Sequence, residues 1–294
     1  LHLGNPGLFG VDAPQELLNI VSENLRSAQG YCDSKGLLSA REAIAAHSSS
    51  RNIINAHPDR IYIGNGASEL INFALMALLN PGDEVLLPQP VYPLWSAVTH
   101  SHGGKVRYYR CDENNHWLPN IENCAQLINK KTKAIVIINP NNPTGSVYPE
   151  STIKALASLA EQHQLVLFAD EIYADILHSP GTFTPSASAS DNILTITFGG
   201  LSKNYGLAGY RCAWMMATGK TEHAKDYLTG IEKCCAMRLC ANVPAQFAIK
   251  TALEKPQLSL CQQHPEMMLK NQRVVERLNL IPGLPCRQPN GAFY

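Results

Sequence analysis

The sequence predicts an α/β fold, in which a mostly parallel sheet of seven strands is sandwiched between helices. Short runs of β-branched and apolar residues alternate with longer segments that have apolar residues at helical spacing, a pattern typical of such sheets. Residues 135–138 (IVII) are apolar without alternation, as expected for a central strand that is covered on both faces. Turns rich in glycine, proline or polar residues follow the predicted strands.

Each predicted element has its own pattern: a short apolar or β-branched run for a strand, and apolar residues three and four positions apart for a helix. Strands are predicted, in order, at residues 61–64, 84–88, 106–109, 134–138, 166–169, 193–198 and 211–216. Helices are predicted, in order, at residues 15–28, 37–49, 67–79, 92–102, 121–129, 150–163, 220–234, 244–254 and 265–279.

We expect three parts along the chain: an N-terminal arm with a strip of a smaller domain at 1–14, a large ligand-binding domain at 15–265, and the start of the smaller domain at 266–294. Residues 280–294 (LIPGLPCRQPNGAFY) have the pattern of a loop that leads into a strand, and the sequence ends as that strand begins. We therefore expect the smaller domain to be largely missing from this chain.

The charge and hydropathy of the chain argue against several classes of protein. The 24 basic and 24 acidic residues balance, so nothing favours nucleic acid or an anionic membrane as a partner. No apolar run reaches the roughly 20 residues that a membrane-spanning helix needs. The first ten residues (LHLGNPGLFG) lack the charged start and apolar stretch of a signal peptide. We expect a cytoplasmic protein.

The cysteines and histidines predict neither disulfides nor a metal site. The nine cysteines are an odd number without a C-x-x-C spacing, which favours free thiols in a reducing compartment. Of the ten histidines, His100 and His102 are two positions apart, and no cluster of ligating residues stands beside them.

The turn after the first strand, residues 64–69 (GNGASE), has the composition of an anion site. Its small residues allow backbone N–H groups and the Ser68 hydroxyl to approach an anion at a helix N-terminus. It is not the dinucleotide fingerprint, because Glu69 stands where the third glycine is needed. Residues 219–221 (GKT) do not form a Walker-type phosphate loop either, because Trp214 occupies the position of its first glycine.

Aromatic residues mark two further segments. Residues 90–95 (PVYPLW) follow the second strand, and an aromatic ring such as that of Tyr92 can stack there on a planar ligand. Such a ring can equally be part of the core. Residues 29–36 (QGYCDSKG) form a polar loop around Tyr31, which is uninformative by itself.

Two polar segments follow the central strands. In residues 139–145 (NPNNPTG) the prolines and the glycine turn the chain outward at the sheet edge, where an amide can donate to a ligand or the segment can be a plain turn. In residues 167–173 (LFADEIY), Asp170 ends a buried strand, and a buried carboxylate is costly unless it is paired. A protonated pyridine-type nitrogen would be a suitable partner, and Tyr173 can reach the same ligand. Alternatively, Asp170 caps the next helix.

Lys203 is the strongest candidate for covalent chemistry. It lies in residues 198–211 (FGGLSKNYGLAGYR), on a turn between two apolar stretches. Desolvation or a nearby cation lowers the pKa of a lysine and makes it a nucleophile or Schiff-base former. Arg211 can be that cation and can also bind a phosphate in a bidentate manner. An exposed loop lysine is the alternative. Together, the candidate groups suit pyridoxal 5′-phosphate, which a lysine binds as a Schiff base with an acid at its ring nitrogen.

The chain also resembles the pyridoxal-phosphate-dependent aminotransferases of the aspartate-aminotransferase fold (class I/II), over nearly its whole length. The segments NPNNPTG, DEIY and SKNYGLAGYR, in this order and spacing, carry the resemblance. Within that family the chain is most similar to the bacterial alanine-forming glutamate–pyruvate aminotransferases, through QGYCDSKGL, IGNGASELI, INPNNPTG, FADEIY, GLSK and MRLCANVP.

This resemblance implies a role for each matching residue around the pyridine ring. Lys203 would form the Schiff base and move the proton in the reaction, and Asp170 would pair with the ring nitrogen. Asn142 and Tyr173 would donate to the phenolate oxygen, and Tyr92 would stack on the ring. Lys203, Asp170 and Tyr173 are thus the expected catalytic residues.

The resemblance implies further roles around the phosphate and the substrate. Ala67, Ser68 and Arg211 would bind the phosphate, together with Tyr31 of a neighbouring subunit, which implies a homodimer with a shared active site. Gly4 matches an N-terminal strip that lies over the substrate, and Asn142 would also contact the substrate.

Two departures from the family pattern stand out. Many members have a phosphate-binding serine three residues before the lysine, where this chain has Gly200; Ser202 is the candidate replacement. The family's arginine for the substrate carboxylate has no match here, so we expect the chain to hold the cofactor but to bind an amino acid poorly.

The resemblance implies transamination of glutamate and pyruvate to 2-oxoglutarate and alanine. A carbon–sulfur β-lyase or another aminotransferase would use the same cofactor residues. A regulatory module that binds the cofactor without turnover, and a scaffold without ligand, are alternatives of other classes.

Overall fold

The computed structural model describes residues 4–178 and 183–294 and confirms the predicted α/β class, with eight strands rather than seven. The strands are β1 (Ile61–Gly64), β2 (Glu84–Gln89), β3 (Lys105–Asp112), β4 (Leu118–Pro119), β5 (Thr132–Ile138), β6 (Val166–Asp170), β7 (Leu194–Gly200) and β8 (Ala213–Gly219). The α-helices are α1 (Gln15–Glu23), α2 (Leu38–Ser50), α3 (Ala67–Leu78), α4 (Pro93–Ser101), α5 (Ile121–Leu127), α6 (Glu150–Gln162), α7 (Leu201–Asn204), α8 (Lys225–Met237), α9 (Val243–Glu254), α10 (Leu260–Gln263) and α11 (Glu266–Asn279).

The strands form one sheet in the order β1-β8-β7-β6-β5-β2-β3-β4. The pairs β2–β3, β2–β5, β5–β6 and β6–β7 are parallel. In contrast, β8 is antiparallel to both of its neighbours, and β4 is antiparallel to β3. Six strands therefore share one direction, as the prediction of a mostly parallel sheet requires, while β4 and β8 run against it.

The prediction of seven strands was wrong because it omitted β4. This strand has only two residues, which pair with Cys111 and Asp112 at the end of β3. Two residues are too few to show the apolar run or the period-two alternation by which a strand is recognised in a sequence.

Helices cover both faces of the sheet and make it the middle of three layers. On one face, α3, α4 and α8 bury residues such as Leu70, Trp95 and Ile231 against Val136 and Phe168 of the central strands. On the other face, α1, α2 and α9 pack over the end of the sheet that holds β1 and β8. The helices α5 and α6 pack on the same face over the strands β5 and β6.

Several predicted boundaries shift in the structure. The first helix ends at Glu23 instead of residue 28, and α8 begins at Lys225 instead of residue 220, after a 3-10 turn. The last strand begins at Ala213 instead of residue 211, because Arg211 has a left-handed backbone with φ of 52°, which extended strands do not accommodate.

The topology gathers the turns of interest at one edge of the sheet. The strands β1, β2, β5, β6 and β7 share one direction, so their carboxyl ends lie at that edge, where α/β sheets bind ligands. Because β8 runs the opposite way, its amino end lies there too and brings Arg211 to the same edge. The sequence placed Arg211 near a strand end but did not reveal that the strand is antiparallel.

The last residues of the chain return to this edge. After α11, an irregular segment packs back so that the Ala292 N–H donates to the Ile176 carbonyl at 2.9 Å. The division into an arm, a large domain and the start of a smaller one stays a prediction. No helix in the described parts of the chain has the length and hydropathy needed to cross a membrane.

Candidate active site

A cavity of about 310 Å³ opens at the edge where the strand ends meet. The sequence analysis proposed ten site residues, and nine of them line this cavity: Gly4, Ala67, Ser68, Tyr92, Asn142, Asp170, Tyr173, Lys203 and Arg211. Its volume falls in the range of small-molecule sites, about 300 to 1,000 Å³. The structure therefore brings together groups from Gly4 to Arg211, which are 207 positions apart in the sequence.

Lys203 lies on α7, a single turn that directly follows β7. Its Nζ donates to the carbonyl oxygen of Gly4 at 2.6 Å. Burial and the nearby Arg211 guanidinium lower the pKa of Lys203. A lysine with a lowered pKa has a larger neutral fraction, and the neutral amine is the form that attacks a carbonyl. The alternative of an exposed loop lysine does not hold.

Asp170 is the last residue of β6 and is buried. Its Oδ2 accepts a hydrogen bond from Nε1 of Trp95 at 3.0 Å, and its Oδ1 accepts one from the Ile172 N–H at 3.4 Å. Burial raises the pKa of Asp170, and these two hydrogen bonds act against that rise. The helix-cap alternative fails, because a turn rather than a helix follows Asp170.

The side chains of the three asparagines in the 139–145 turn make different contacts. The side chain of Asn139 accepts from the Tyr148 N–H at 2.9 Å, and that of Asn141 accepts from the Thr144 hydroxyl at 2.9 Å. Both therefore hold the turn in shape. The side chain of Asn142 lines the cavity instead, where its Nδ2 donates to the Tyr294 hydroxyl.

Tyr294 lines the cavity beside Asn142 and Tyr173. Its hydroxyl accepts from Nδ2 of Asn142 at 3.2 Å and lies 3.0 Å from the Tyr173 hydroxyl. Burial raises the pKa of Tyr173, so its phenol stays protonated and can donate a hydrogen bond near neutral pH. Tyr294 was not among the predicted site residues, because its contacts are with residues far away in the chain.

The opposite end of the cavity has the features of an anion site. The first N–H groups of α3, at Ala67 and Ser68, have no partner inside the helix, and such groups bind anions. Arg211 packs against Gly66, where a Cβ atom would overlap its guanidinium. Gly66 also has φ of 92°, which an L side chain adopts only with strain. Glycine at this position therefore lets the cation approach the start of the helix.

Glu69 and Arg238 hold the anion site in place. Glu69 accepts from the Asn65 N–H at 2.8 Å and forms a 2.6 Å ion pair with Arg238. Arg238 in turn donates to the carbonyl oxygen of Ser34 at 2.8 Å. Glu69, which rules out the dinucleotide fingerprint, thus anchors the turn that precedes α3.

Tyr92 precedes α4 and lines the cavity with its half-buried side chain. Burial, followed by the nearby Asp170 carboxylate, raises the pKa of its phenol. The ring is therefore neutral near pH 7, and its position on the cavity wall suits stacking on a planar ligand.

Tyr31 is the one predicted site residue that does not line the cavity. Its side chain is 82% exposed. In this chain it therefore contributes nothing to the site. The interpretation that it serves a neighbouring subunit stays a prediction.

The structure explains the glycine at position 200. A Cβ atom there would lie 3.0 Å from the Cβ of Ala213 and 3.1 Å from its Cα, on the paired strand β8. A serine would therefore press against the backbone of the sheet. Ser202, in contrast, lines the cavity.

The sequence analysis missed the contact between Asp170 and Trp95. Trp95 stands three residues after Tyr92, and this helical spacing was the only available signal.

Within residues 4–178 and 183–294, no group of histidine, cysteine or acidic side chains is arranged to hold a metal ion. The site therefore presents an amine, a buried carboxylate, three phenols, an amide and an anion-binding end.

Comparison with known proteins agrees with this geometry. The model of the family "Aminotransferase class I and II" matches residues 12–294. The glutamate-pyruvate aminotransferase AlaA of Haemophilus influenzae is 48% identical over 301 residues, a match that covers all of this chain and 73% of that protein. The alanine aminotransferase of Mycobacterium tuberculosis is 45% identical over 300 residues, covering all of this chain and 69% of that protein.

A solved structure agrees as well. The crystal structure of an aminotransferase from Escherichia coli superposes with a TM-score of 0.94 at 47% identity, covering 99% of this chain and 72% of that one. The expected resemblance is thereby confirmed at the level of both sequence and fold. The chain is an aminotransferase and belongs to the aminotransferase class I and II family.

Proposed function

We propose that this aminotransferase uses pyridoxal 5′-phosphate to transfer an amino group from glutamate to pyruvate, giving 2-oxoglutarate and alanine. The observation that carries the proposal is the shared cavity of Lys203, whose pKa is lowered, and Asp170, a buried carboxylate. The choice of substrates follows the names of the relatives, a glutamate-pyruvate aminotransferase and an alanine aminotransferase.

The residues of the cavity fit the cofactor. Asp170 has no ion pair among the described residues, although an unpaired buried carboxylate is costly. A protonated ring nitrogen would supply the missing charge. At the other end of the cavity, Arg211, Ser68 and the start of α3 offer a cation and N–H donors, as a phosphate requires.

Pyridoxal phosphate, when bound, supplies an aldehyde that condenses with amines and a ring that accepts electrons from the substrate. Lys203 would hold the aldehyde through Nζ and, once released, would take up the substrate's proton at Nζ and return it. The Gly4 carbonyl, which accepts from Nζ at 2.6 Å, keeps the amine inside the cavity. Proton transfer by a positioned group of this kind contributes about 10²- to 10⁴-fold to a rate.

The other side chains bind and orient. Asp170 would stabilise positive charge at the ring nitrogen, and Tyr92 would cover one face of the ring. Asn142 and Tyr173, which both contact the Tyr294 hydroxyl in this structure, would donate to the ring oxygen. Asn142 and Gly4 also lie where a substrate would bind.

We further infer a cytoplasmic homodimer in which Tyr31 reaches the phosphate site of the neighbouring subunit. Its high exposure supports this inference, since a large aromatic side chain in water is free to enter another subunit. The division into an arm (1–14), a large domain (15–265) and the start of a smaller domain (266–294) belongs to the same proposal.

The proposal is tested by fixing the cofactor to the protein. Purified protein is incubated with pyridoxal phosphate, reduced with borohydride and digested, and the modified peptide is identified by mass. We expect one pyridoxyl group on Lys203 and none in the Lys203→Ala variant. Lys220→Ala, which removes an exposed lysine, should label like the wild type. Labelling elsewhere, or no labelling, would contradict the proposal.

The substrates are tested with a panel of amino donors and 2-oxo acids. We expect glutamate with pyruvate to give the highest kcat/KM, measured as alanine formed. Release of pyruvate and a thiol from a cysteine conjugate would instead identify a carbon–sulfur β-lyase. Binding of the cofactor without turnover of any pair would point to a regulatory module.

A further inference from the structure

We propose that Trp95 is a positioning residue, which orients the Asp170 carboxylate towards the ring nitrogen of the cofactor. This inference rests on the proposed function, because it assigns a partner to Asp170 in that site. Nε1 of Trp95 donates to Oδ2 of Asp170 at 3.0 Å. Within the described residues, this is the only side-chain hydrogen bond that Asp170 receives.

The start of α4 places Trp95 for this role. The helix begins at Pro93, and Tyr92 precedes it. The Trp95 N–H donates to the Tyr92 carbonyl at 3.2 Å, so the two aromatic residues are one helical turn apart. A single helix start thus provides the ring that lines the cavity and the donor that holds the buried carboxylate behind it.

Packing fixes the indole in its orientation. Trp95 is fully buried, and its ring centroid lies 5.6 Å from that of Phe168 and 5.6 Å from that of Phe198, the latter edge-on. Phe168 precedes Asp170 by two residues on β6, so both side chains are on the same face of the sheet. Full burial and the contacts with these two rings therefore hold the indole beside the carboxylate.

The chemistry of the indole suits a carboxylate that must remain an anion. The N–H of tryptophan only donates hydrogen bonds, and an ionised carboxylate only accepts them. A hydrogen bond to a charged acceptor is about twice as strong as one between neutral groups. Burial raises the pKa of Asp170, and the hydrogen bond from Trp95 is the larger of the two contacts that oppose this rise.

Through Asp170, the hydrogen bond from Trp95 would affect how tightly the cofactor binds. An Asp170 that rotates, or that becomes protonated, loses its interaction with a protonated ring nitrogen. The contribution of Trp95 to cofactor affinity therefore depends on that nitrogen. A role limited to filling the core would weaken the binding of any ligand of the same shape.

The test compares two ligands on the apo-protein. One is pyridoxal 5′-phosphate, and the other is its 1-deaza analogue, in which a C–H group replaces the ring nitrogen. The dissociation constants are measured by absorbance titration for the wild type, for Trp95→Phe and for Phe168→Leu, a matched variant in the same aromatic cluster. A variant with benzothienylalanine at position 95, which keeps the shape and removes the N–H, serves where Trp95→Phe does not fold.

We expect Trp95→Phe to bind pyridoxal phosphate about 10- to 100-fold more weakly, as for a lost hydrogen bond to a charged group, and to bind the deaza analogue like the wild type. Phe168→Leu should leave the ratio of the two constants unchanged. Equal ratios in the wild type and in Trp95→Phe would overturn the role of Trp95. A wild type that binds both ligands equally would instead overturn the pairing of Asp170 with the ring nitrogen, and with it the proposed function.

Discussion

Asp170 and Glu171 are neighbours in the sequence and are buried to the same extent, each 7% exposed, yet they lie in different cavities. Asp170 faces the candidate active site. Glu171 faces a smaller cavity of about 50 Å³. The strand β6 ends at Asp170, so Glu171 is the first residue after the strand.

Their partners differ more than their burial does. The Glu171 Oε1 accepts from the Ser186 N–H at 2.6 Å. The nearby Arg51 is paired with Asp175 at 3.5 Å and lies over the Phe183 ring at 5.1 Å. The protein thus surrounds Glu171 with a backbone donor and a cation.

Asp170, in contrast, accepts from Trp95 and from the Ile172 N–H and has no cationic partner among the described residues. Burial raises the pKa of both carboxyl groups, so a raised pKa does not distinguish them. Among the described residues, the two differ instead in the volume of the adjacent cavity and in the presence of a nearby cation, which Glu171 has and Asp170 lacks.

The largest expected effect is a difference in enzyme activity between variants of Asp170 and variants of Glu171. We expect Asp170→Asn to lower kcat/KM by about 10²- to 10³-fold, the scale for loss of a fixed electrostatic group. Glu171→Gln should stay within about 3-fold of the wild type, because amide and carboxylate both accept from the Ser186 N–H. Steady-state transamination at saturating cofactor measures both. Equal losses in the two variants would show that Glu171 takes part in the reaction.

The second expected effect is a dependence of the free energy of unfolding on pH that comes from Glu171. Burial raises the pKa of Glu171 to about 7, from 4.5. Between these values the folded state binds more protons than the unfolded state, so the free energy of unfolding falls as the pH rises. The stability that Glu171 contributes is fully present below the lower value. It is lost as the pH rises through the higher one, in total about 3 kcal/mol.

Glu171→Gln removes this dependence. Urea unfolding from about pH 5 to about pH 8 should show that the variant gains stability relative to the wild type as the pH rises, by about 2.5 kcal/mol over the range. Other titrating groups are common to both proteins and cancel in the difference. Parallel curves for the two proteins would mean that Glu171 has an ordinary pKa in the folded state.

The same pair shows how far the sequence can be read. The segment LFADEIY indicates a buried strand that ends at Asp170. What each face contains depends on partners that are distant in the sequence. Trp95 is 75 positions from Asp170, and Tyr294 is 121 positions from Tyr173. No local pattern encodes such contacts.

Most of the fold was predictable because most of its strands and helices are long enough to show the spacing of apolar residues that is typical of each. The exceptions have physical causes. The strand β4 has two residues, and the direction of β8 depends on its pairing with β1 and β7. The antiparallel direction of β8 brings Arg211 to the site. Arg211 could therefore be identified from the sequence as a candidate, but its placement by an antiparallel strand could not.

The smallest expected effect concerns Arg51. Its side chain and that of Asp175 are 27% and 29% exposed, so their ion pair is only partly shielded from water. We expect Arg51→Met to lower the free energy of unfolding by about 1 kcal/mol, through loss of this pair and of the cation–π contact with Phe183. Because Arg51 lowers the pKa of Glu171, the fall in stability with pH should extend to higher pH and become larger in Arg51→Met.

The control for Arg51→Met is Lys154→Met, which breaks an exposed ion pair between Lys154 and Glu150 and should change stability by less than about 0.5 kcal/mol. Activity per folded molecule should stay at the wild-type level in both variants, because neither residue lines the candidate active site. A loss of kcat/KM in Arg51→Met as large as that in Asp170→Asn would contradict the distinction between Asp170, which acts in the reaction, and Glu171, which affects stability. The cavity around Glu171 would then act in the reaction rather than in stability alone.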